Sequence, residues 1–368
     1  MPGQNDSAIQ KTPLAEAHEK LKATMVDFAG WWMPVQYTSV IDEHITTRTK
    51  AGLFDICHMG EFIVKGSDAL NFLQKLMVND INKLSIGRVI YNLMCYENGA
   101  VVDDLMIYKL KENEFMVVGN ACNVKKDSDW LNNHKENFNV EIEDISEKTS
   151  KLDLQGPKAE EIMKKLTDID FPARFHFIET NFLGVKTIIS WTGYTGEDGF
   201  EFYFNKEHTL KIWNSILQAG KEYGIKPIGL GARDTLRIEA CYSLYDHEIN
   251  DKITPIEAGL GWAVKLDKDF IGKEILKKQK EEGTERKLVA FEMQRGIARE
   301  NYEAYIGEEK IGFVTSGTFS PTFKKSLGMA LIKKEYAEEG NKINIKIRDK
   351  FYEATIVKRP FYKFNGGK

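Results

Sequence analysis

Two adjacent carboxylates, Asp103 and Asp104, stand inside the run NGAVVDDLMIYKL (98–110), whose other residues have the apolar, β-branched character of a buried strand. Side chains alternate faces along a strand, which places Val102, Asp104, Met106 and Tyr108 on one side and Val101, Asp103, Leu105 and Ile107 on the other. The Asn98-Gly99 dipeptide predicts a two-residue type I′ hairpin with the preceding run VIYNLMCY, pairing Leu93 with Asp104 and Tyr91 with Met106. An unpaired carboxylate in a dry core costs several kcal/mol or takes up a proton. Two accounts of the pair stay open on these residues alone. In one, Asp104 borders a cavity walled by Tyr91, Leu93 and Met106, as in an organic-ligand pocket. In the other, one Asp bonds backbone amides at a strand end or turn and its neighbour meets water.

A second carboxylate is placed the same way. In WTGYTGEDGFEFYF, Glu201 lies between Phe200 and Phe202, and a strand puts Glu201 and Tyr203 opposite Phe200, Phe202 and Phe204. A carboxylate binds bidentately to a planar pair of N–H donors, such as an Arg guanidinium or the amino group and ring N–H of a 2-amino-4-oxo heterocycle. GLGARDTLRIEA supplies Arg233 and Arg237 one helical turn apart, either for a ligand or for local pairing with Asp234 and Glu239.

Other chemistries find little support. Seven His and four Cys (Cys57, Cys95, Cys122, Cys241) include no H-E-x-x-H, H-x-H or C-x-x-C spacing, so no metal is expected and the thiols are read as reduced and mostly buried. A G-x-x-x-x-G-K-[ST] loop is missing, and GLGARD is an incomplete dinucleotide motif that opens no βαβ unit. A formal net charge of −4 gives no footprint for nucleic acid or an anionic membrane. No window reaches the roughly 18 apolar residues of a membrane span, and MPGQNDSAIQKTPLAEAHEKL lacks a signal pattern, so a cytoplasmic protein is expected.

At 368 residues the chain exceeds what one core serves, and two or three domains are expected. Residues 14–23 and 39–51 have helical spacing, with FAGWWMPVQY between them read as an irregular link broken by Gly30 and Pro34. FDICHMGEFIVKG reads as one strand-like run, and SDALNFLQKLMVNDI as an amphipathic helix with Ser67 at its N-cap. VIYNLMCY, AVVDDLMIYKL and EFMVVGN are strands; 124–138 and 158–166 are helices; TIISW and FEFYFN form a further strand pair. HTLKIWNSILQAGKEYG, GARDTLRIEA and the solvated, lysine-rich GKEILKKQKEEG are helices. From Lys287 onward the apolar runs are short and alternating, as in a separate β-sandwich or barrel from about 285 to the end.

The whole chain, from KTPLAEAH to RPFYKF, resembles the glycine cleavage T-protein (aminomethyltransferase) family, on blocks such as DFAGWWMPVQY, GAVVDDLMIYKL, LQGPKAEEI, TGYTGEDGFEF, GLGARDTLRIEA, TPIEAGLGWAVK and VTSGTFSPTFKKSLGMA. The resemblance implies an α+β, mostly antiparallel fold of three domains in a clover leaf around a folate channel. Two interleaved domains would fill 1–284 and a jelly-roll-like β domain 285–368. It implies that tetrahydrofolate accepts a one-carbon unit from the aminomethyl-lipoyl arm of a carrier, the H-protein, giving 5,10-methylenetetrahydrofolate and ammonia. By the same likeness Asp104 is the catalytic residue, Glu201 holds the pterin and Arg233 binds the ligand, with Met59, Tyr91, Val118, Asn120, Tyr194 and Trp262 lining the folate site. Departures from the family pattern are Cys57 for a usual Ser, Asp246 for a usual Gly, and ARENYEAY without the frequent Gly-Tyr. The rival readings are another folate-dependent demethylase of the superfamily and a non-catalytic folate-binding protein. Relatives of the latter carry a K-G-C-Y-x-G-Q-E block whose Cys TGYTGEDGFE lacks.

Overall fold

A computed structural model describes residues 9–364; the outermost residues of both expected domains, including the start of the stretch examined for a signal, lie outside that range. The chain enters a six-stranded sheet at Gly52–Asp55 and leaves it to build a five-stranded one from Gly60–Lys65, Val89–Cys95, Val101–Lys111, Glu114–Gly119 and Glu141–Asp144. It returns to the first sheet at Thr149–Gln155 and completes it with Phe177–Phe182, Val185–Ser190, Gly199–Asn205 and Lys226–Ile228. In these two sheets only Lys226–Ile228, along Gly52–Asp55, pairs in parallel.

Each sheet packs one face into a core of its own. Phe200, Phe202 and Phe204 join Leu152, Ile189 and Trp213 under the six-stranded sheet, while Val102, Leu105 and Ile107 join Phe62, Phe72 and Phe115 under the five-stranded one. Burying each such side chain contributes roughly 1.5–3 kcal/mol, so these faces fix the register. The opposite faces turn toward each other, meeting where the hydroxyls of Tyr108 and Tyr203 lie 2.8 Å apart. Charge in these strands is therefore compatible with burial, because the second face of each sheet does not close into solid packing.

Several local expectations are corrected. FAGWWMPVQY is a hairpin of Thr24–Phe28 and Trp31–Gln36, turned by Ala29 and Gly30, both at positive φ (52° and 82°). Pro34 is tolerated there because the third strand of that sheet, Gln10–Lys11, pairs only with Trp31 and Trp32. FDICHMGEFIVKG is two strands in two sheets: the Asp55 carboxylate accepts from Cys57 N at 2.9 Å and bends the chain out of the first. The helix Ala69–Leu76 has Asp68, not Ser67, at its N-cap, and Ser67 Oγ accepts instead from Asn139 Nδ2 at 2.9 Å.

The Asn98-Gly99 hairpin also differs. Only Gly99 has positive φ (81°), and Tyr96 closes on Ala100 across a three-residue loop. One extra residue at a bulge next to Met94 and Cys95 restores the pairing beyond it, so Leu93 does face Asp104 and Tyr91 faces Met106. The same bulge reverses the expected faces of its two valines: Val102 packs with Leu105 and Ile107, and Val101 with Leu93.

From Arg286 the chain forms a closed barrel of six strands, Arg286–Met293, Glu303–Ile306, Glu309–Ser320, Lys325–Lys333, Lys342–Ile347 and Lys350–Val357, all paired antiparallel. Phe291, Val314, Ile332, Ile343 and Ile356 fill it. The helix Leu230–Glu239 packs against the helix Val40–Thr49, the strand Trp31–Gln36 and the barrel strand Glu309–Ser320, and so joins the barrel to the N-terminal hairpin and helix. Among the described residues no helix is long and apolar enough to cross a membrane.

Candidate functional site

The facing sheets, the Leu230–Glu239 helix and the segment after it enclose a cavity of ≈ 990 Å³. Asp104 lies on its wall. Tyr91 Oη donates to Asp104 Oδ2 at 3.1 Å and Asn120 Nδ2 to Asp104 Oδ1 at 2.7 Å. Its neighbour Asp103 points to the other face, fully buried, and accepts from Asn120 N (3.0 Å), Asn120 Nδ2 (2.8 Å) and Asn123 Nδ2 (2.6 Å). The two carboxylates thus have separate tasks: Asp103 fastens the 120–123 loop to the strand, and Asp104 faces the cavity. Burial first, then the charge of Asp103, pushes the Asp104 carboxyl up to about 7, against the hydrogen bonds from Asn120 and Tyr91. Behind Asp103, burial and the Asp103 charge hold Asp127 well above the carboxylate range.

Glu201 lies on the opposing sheet with the contrary tuning. Burial would raise it, but Lys151 Nζ at 2.8 Å, the Thr192 hydroxyl and the Arg233 charge outweigh burial and hold it below the ordinary value. Lys151 also points Nζ at Met59 Sδ (3.4 Å). The cross-strand partner of Glu201 is Asp153, lifted to about 7 by burial and then by the Glu201 charge. Arg233 reaches Asp153 at 3.4 Å and lies 4.8 Å over the Tyr194 ring. Arg237 takes no part in the wall chemistry; it is buried between Asp234 (2.8 Å), Glu248 (2.7 Å) and Ser316 (2.8 Å). Glu239, the other local partner considered for the arginines, binds Arg48 and His44 instead.

Trp262 stacks on Tyr91, ring centroids 5.7 Å apart, and is 59% exposed, which places it on the rim. Tyr194 stacks on Tyr242, and Val118 and Met59 supply apolar wall between the two carboxylates. All nine residues singled out in the sequence border this one cavity: Asp104, Met59, Tyr91, Val118, Asn120, Tyr194, Glu201, Arg233 and Trp262. Among the described residues no cluster of His, Cys, Asp or Glu could hold a metal ion.

Sequence reasoning missed Lys151 and Asp153 because it assigns no element to Thr149–Gln155 (TSKLDLQ); the segment is a buried central strand in which charged residues alternate with Leu. The strand period would have exposed the pattern, since Lys151, Asp153 and Gln155 share a face. His58 was also overlooked. It borders the cavity, is kept neutral by burial, which lowers it to about 4, and its Nδ1 has no partner among the described residues.

Family models match almost the entire chain: the GCVT N-terminal domain over 14–268 and the glycine cleavage T-protein C-terminal barrel domain over 286–363. The chain belongs to the glycine cleavage T-protein family. Relatives in that family include the aminomethyltransferase of Caldanaerobacter subterraneus subsp. tengcongensis, 53% identical over 97% of this chain and 97% of that one. The aminomethyltransferase of Geobacillus sp. WCH70 is also 53% identical, over 96% and 99%. The crystal structure of glycine cleavage system aminomethyltransferase T from Bartonella henselae superposes with a TM-score of 0.90 at 32% identity, covering 96% of this chain and 98% of that one. Against the T-protein pattern, Asp246 occupies a cavity-lining position with φ 69°. The Gly-to-Asp departure therefore leaves the left-handed backbone in place, which Asp tolerates better than most residues.

Proposed function

We propose that this protein is a tetrahydrofolate-dependent aminomethyltransferase that takes the one-carbon unit from the aminomethyl-lipoyl arm of an H-protein. The observation that carries the reading is a pair of oppositely tuned carboxylates in one cavity: Asp104 held near neutrality and Glu201 held ionised by Lys151. An ionised carboxylate flanked by an ammonium and a hydroxyl accepts a flat pair of N–H donors, which suits the amino group and ring N–H of a pterin. Met59, Val118 and Tyr194 are apolar or aromatic surfaces for the ring, and Arg233 fixes Asp153 behind it.

Asp104 then serves the reacting end. A one-carbon unit leaving sulfur for nitrogen develops iminium-like positive charge, and a carboxylate in a poorly solvated wall stabilises it more than water does. Tyr91 and Asn120 aim both of its oxygens, which removes the cost of orienting them during reaction. With a proton affinity near neutrality, Asp104 can also take the proton released as the folate nitrogen is alkylated. The apolar walls exclude water, which would hydrolyse an iminium. We further place the domain boundary at 284/285, just before the barrel strand Arg286–Met293, assign the protein to the cytoplasm, and give it no metal.

The test is titration with tetrahydrofolate followed by turnover with aminomethyl-loaded carrier, set beside methylated amine and sulfonium donors. Micromolar binding and turnover with the carrier alone are expected. Turnover with a methylated donor and none with the carrier would replace this reading with that of a demethylase.

A further inference from the structure

Arg359 is a cation of the cavity wall that no acid meets among the described residues. The other cavity cations are matched: Arg233 with Asp153, Arg237 with Asp234 and Glu248, Lys151 with Glu201. Among the described residues Arg359 gives a single hydrogen bond, from Nη1 to the Ala258 carbonyl at 3.2 Å, and burial makes its charged form costlier than usual.

The position is nevertheless built. Gly259, at φ +74°, leaves the space for the guanidinium, since a side chain there would overlap Nη2. On the other side the segment after the last barrel strand is tied down: Tyr362 N donates to the Glu239 carbonyl at 2.8 Å and Arg48 lies 3.8 Å over the Tyr362 ring. A guanidinium that is largely buried, held from both sides and left with unused donors among the described residues is completed by an anion with planar geometry. The acids that line the cavity, Asp104, Glu201, Asp234 and Asp246, form no ion pair with Arg359 among the described residues, so the anion that completes it is on the ligand.

We propose that Arg359 binds a carboxylate of the glutamate tail of the folate acceptor, and so makes the site selective for glutamate-bearing folates. This rests on the folate reading given above. A reduced folate has one anionic end, the glutamate joined to its p-aminobenzoyl group; the pterin end is neutral and meets Glu201. Arg359 is therefore a binding and specificity residue, remote from the transferred carbon.

The experiment compares the dissociation constants of tetrahydrofolate and tetrahydropteroate, which lacks only the glutamate, for the unaltered protein, Arg359→Gln and Arg359→Leu. Gln retains a donor for the Ala258 carbonyl, so it separates charge from the structural tie. The unaltered protein should prefer tetrahydrofolate by about tenfold or more, the scale of one charge-assisted pair. Both variants should lose that preference while binding tetrahydropteroate as before, with KM for tetrahydrofolate raised and kcat unchanged. Variants that keep the preference, or that weaken both compounds equally, would overturn the assignment. An unaltered protein that binds neither compound would reject the folate reading itself, a distinct result.

Discussion

At the scale of single residues the site is a set of proton affinities displaced in opposite directions. Asp104 is an acid raised to about 7. If the carboxylate is the working form, kcat/KM rises with pH through about 7 and levels above it. Asp104→Asn should remove that limb and lower kcat by roughly 10²–10³-fold, the range for loss of one preorganised charge, with tetrahydrofolate affinity little changed. A residual activity that still rises through pH 7 would assign the limb to another group. The same displacement has a cost in stability. A raised carboxyl binds a proton more tightly in the folded than in the unfolded chain, so its contribution falls as pH rises from about 4 to 7. Asp104→Asn should therefore stabilise the ligand-free protein at pH 8 by on the order of 1–3 kcal/mol, as read by denaturant unfolding. Asp104 and Glu201 were legible in the sequence because charge inside an apolar strand is conspicuous. His58 was not, since a histidine beside a turn carries no such contrast. Glu201 depends on a partner that sequence reasoning missed. With Lys151→Met, burial is no longer offset by the ammonium and Glu201 shifts upward. Tetrahydrofolate affinity should then fall about tenfold or more at pH 7 and recover as pH rises, while the unaltered protein stays flat from pH 6 to 9. A Lys151→Met protein with unaltered, pH-independent affinity would show that Glu201 does not need its ammonium.

At the scale of elements, what positions these groups is the pairing of Val89–Cys95 with Val101–Lys111. The pairing of Leu93 with Asp104 and of Tyr91 with Met106 was read from a two-residue turn, and it holds because the bulge offsets the extra loop residue, in a sheet whose buried face a one-residue slip would empty. The turn itself was misread. Asn-Gly favours the two-residue hairpin, yet Gly99 lies beside Ile275 and Leu276 of the helix Lys273–Glu282, and the longer loop with its bulge fits that neighbour. Such contacts come from residues far along the chain and leave no local mark. Gly99→Ala should lower stability by roughly 1–2 kcal/mol: φ is +81° and the new Cβ would lie 3.0 Å from Ile275 Cγ2. Because the bulge beyond it sets the register at Asp104, folate affinity should change less than threefold. A large loss of affinity in a protein with native-like stability would mean that the loop, not the bulge, sets the register. The strands at 52–55 and 60–65 merged in the sequence for a related reason: Asp55 breaks them by a side-chain hydrogen bond that periodicity does not register.

At the scale of the whole molecule, three regions distant in sequence converge on Glu239 at the end of the central helix. Its carboxylate accepts from Arg48 (Nη2, 3.1 Å) and from Thr322 Oγ1 (2.9 Å), His44 Nε2 lies 3.2 Å away, and its carbonyl accepts from Tyr362 N. The helix Val40–Thr49, the barrel and the segment after the last barrel strand are thereby held together, and with them the position of Arg359 at the cavity. The barrel itself was readable from its short alternating runs; its attachment was not, because GARDTLRIEA offered nearer partners for every charge. Glu239 is fully buried, yet the hydrogen bond and charge of His44, with those of Arg48, overcome burial and hold it down to about 2 from 4.5. An acid depressed on folding stabilises the protein above its unfolded value and loses that contribution as pH falls through its folded value, here between about 4.5 and 2. Glu239→Gln should cost roughly 1.5–3 kcal/mol at pH 7, because Arg48 keeps its buried partner Glu197 at 2.9 Å but loses the second carboxylate, and should flatten the acid limb of stability between pH 4.5 and 2. Denaturant unfolding at a series of pH values, followed separately by the tryptophans, all of which precede the barrel, and by a probe in the barrel, checks both statements. The transitions coincide in the unaltered protein if Glu239 ties the regions together, and the barrel transition separates in Glu239→Gln. A variant with one coincident transition and an acid limb as steep as before would place the coupling elsewhere, in the apolar contacts of the central helix with the barrel strand Glu309–Ser320.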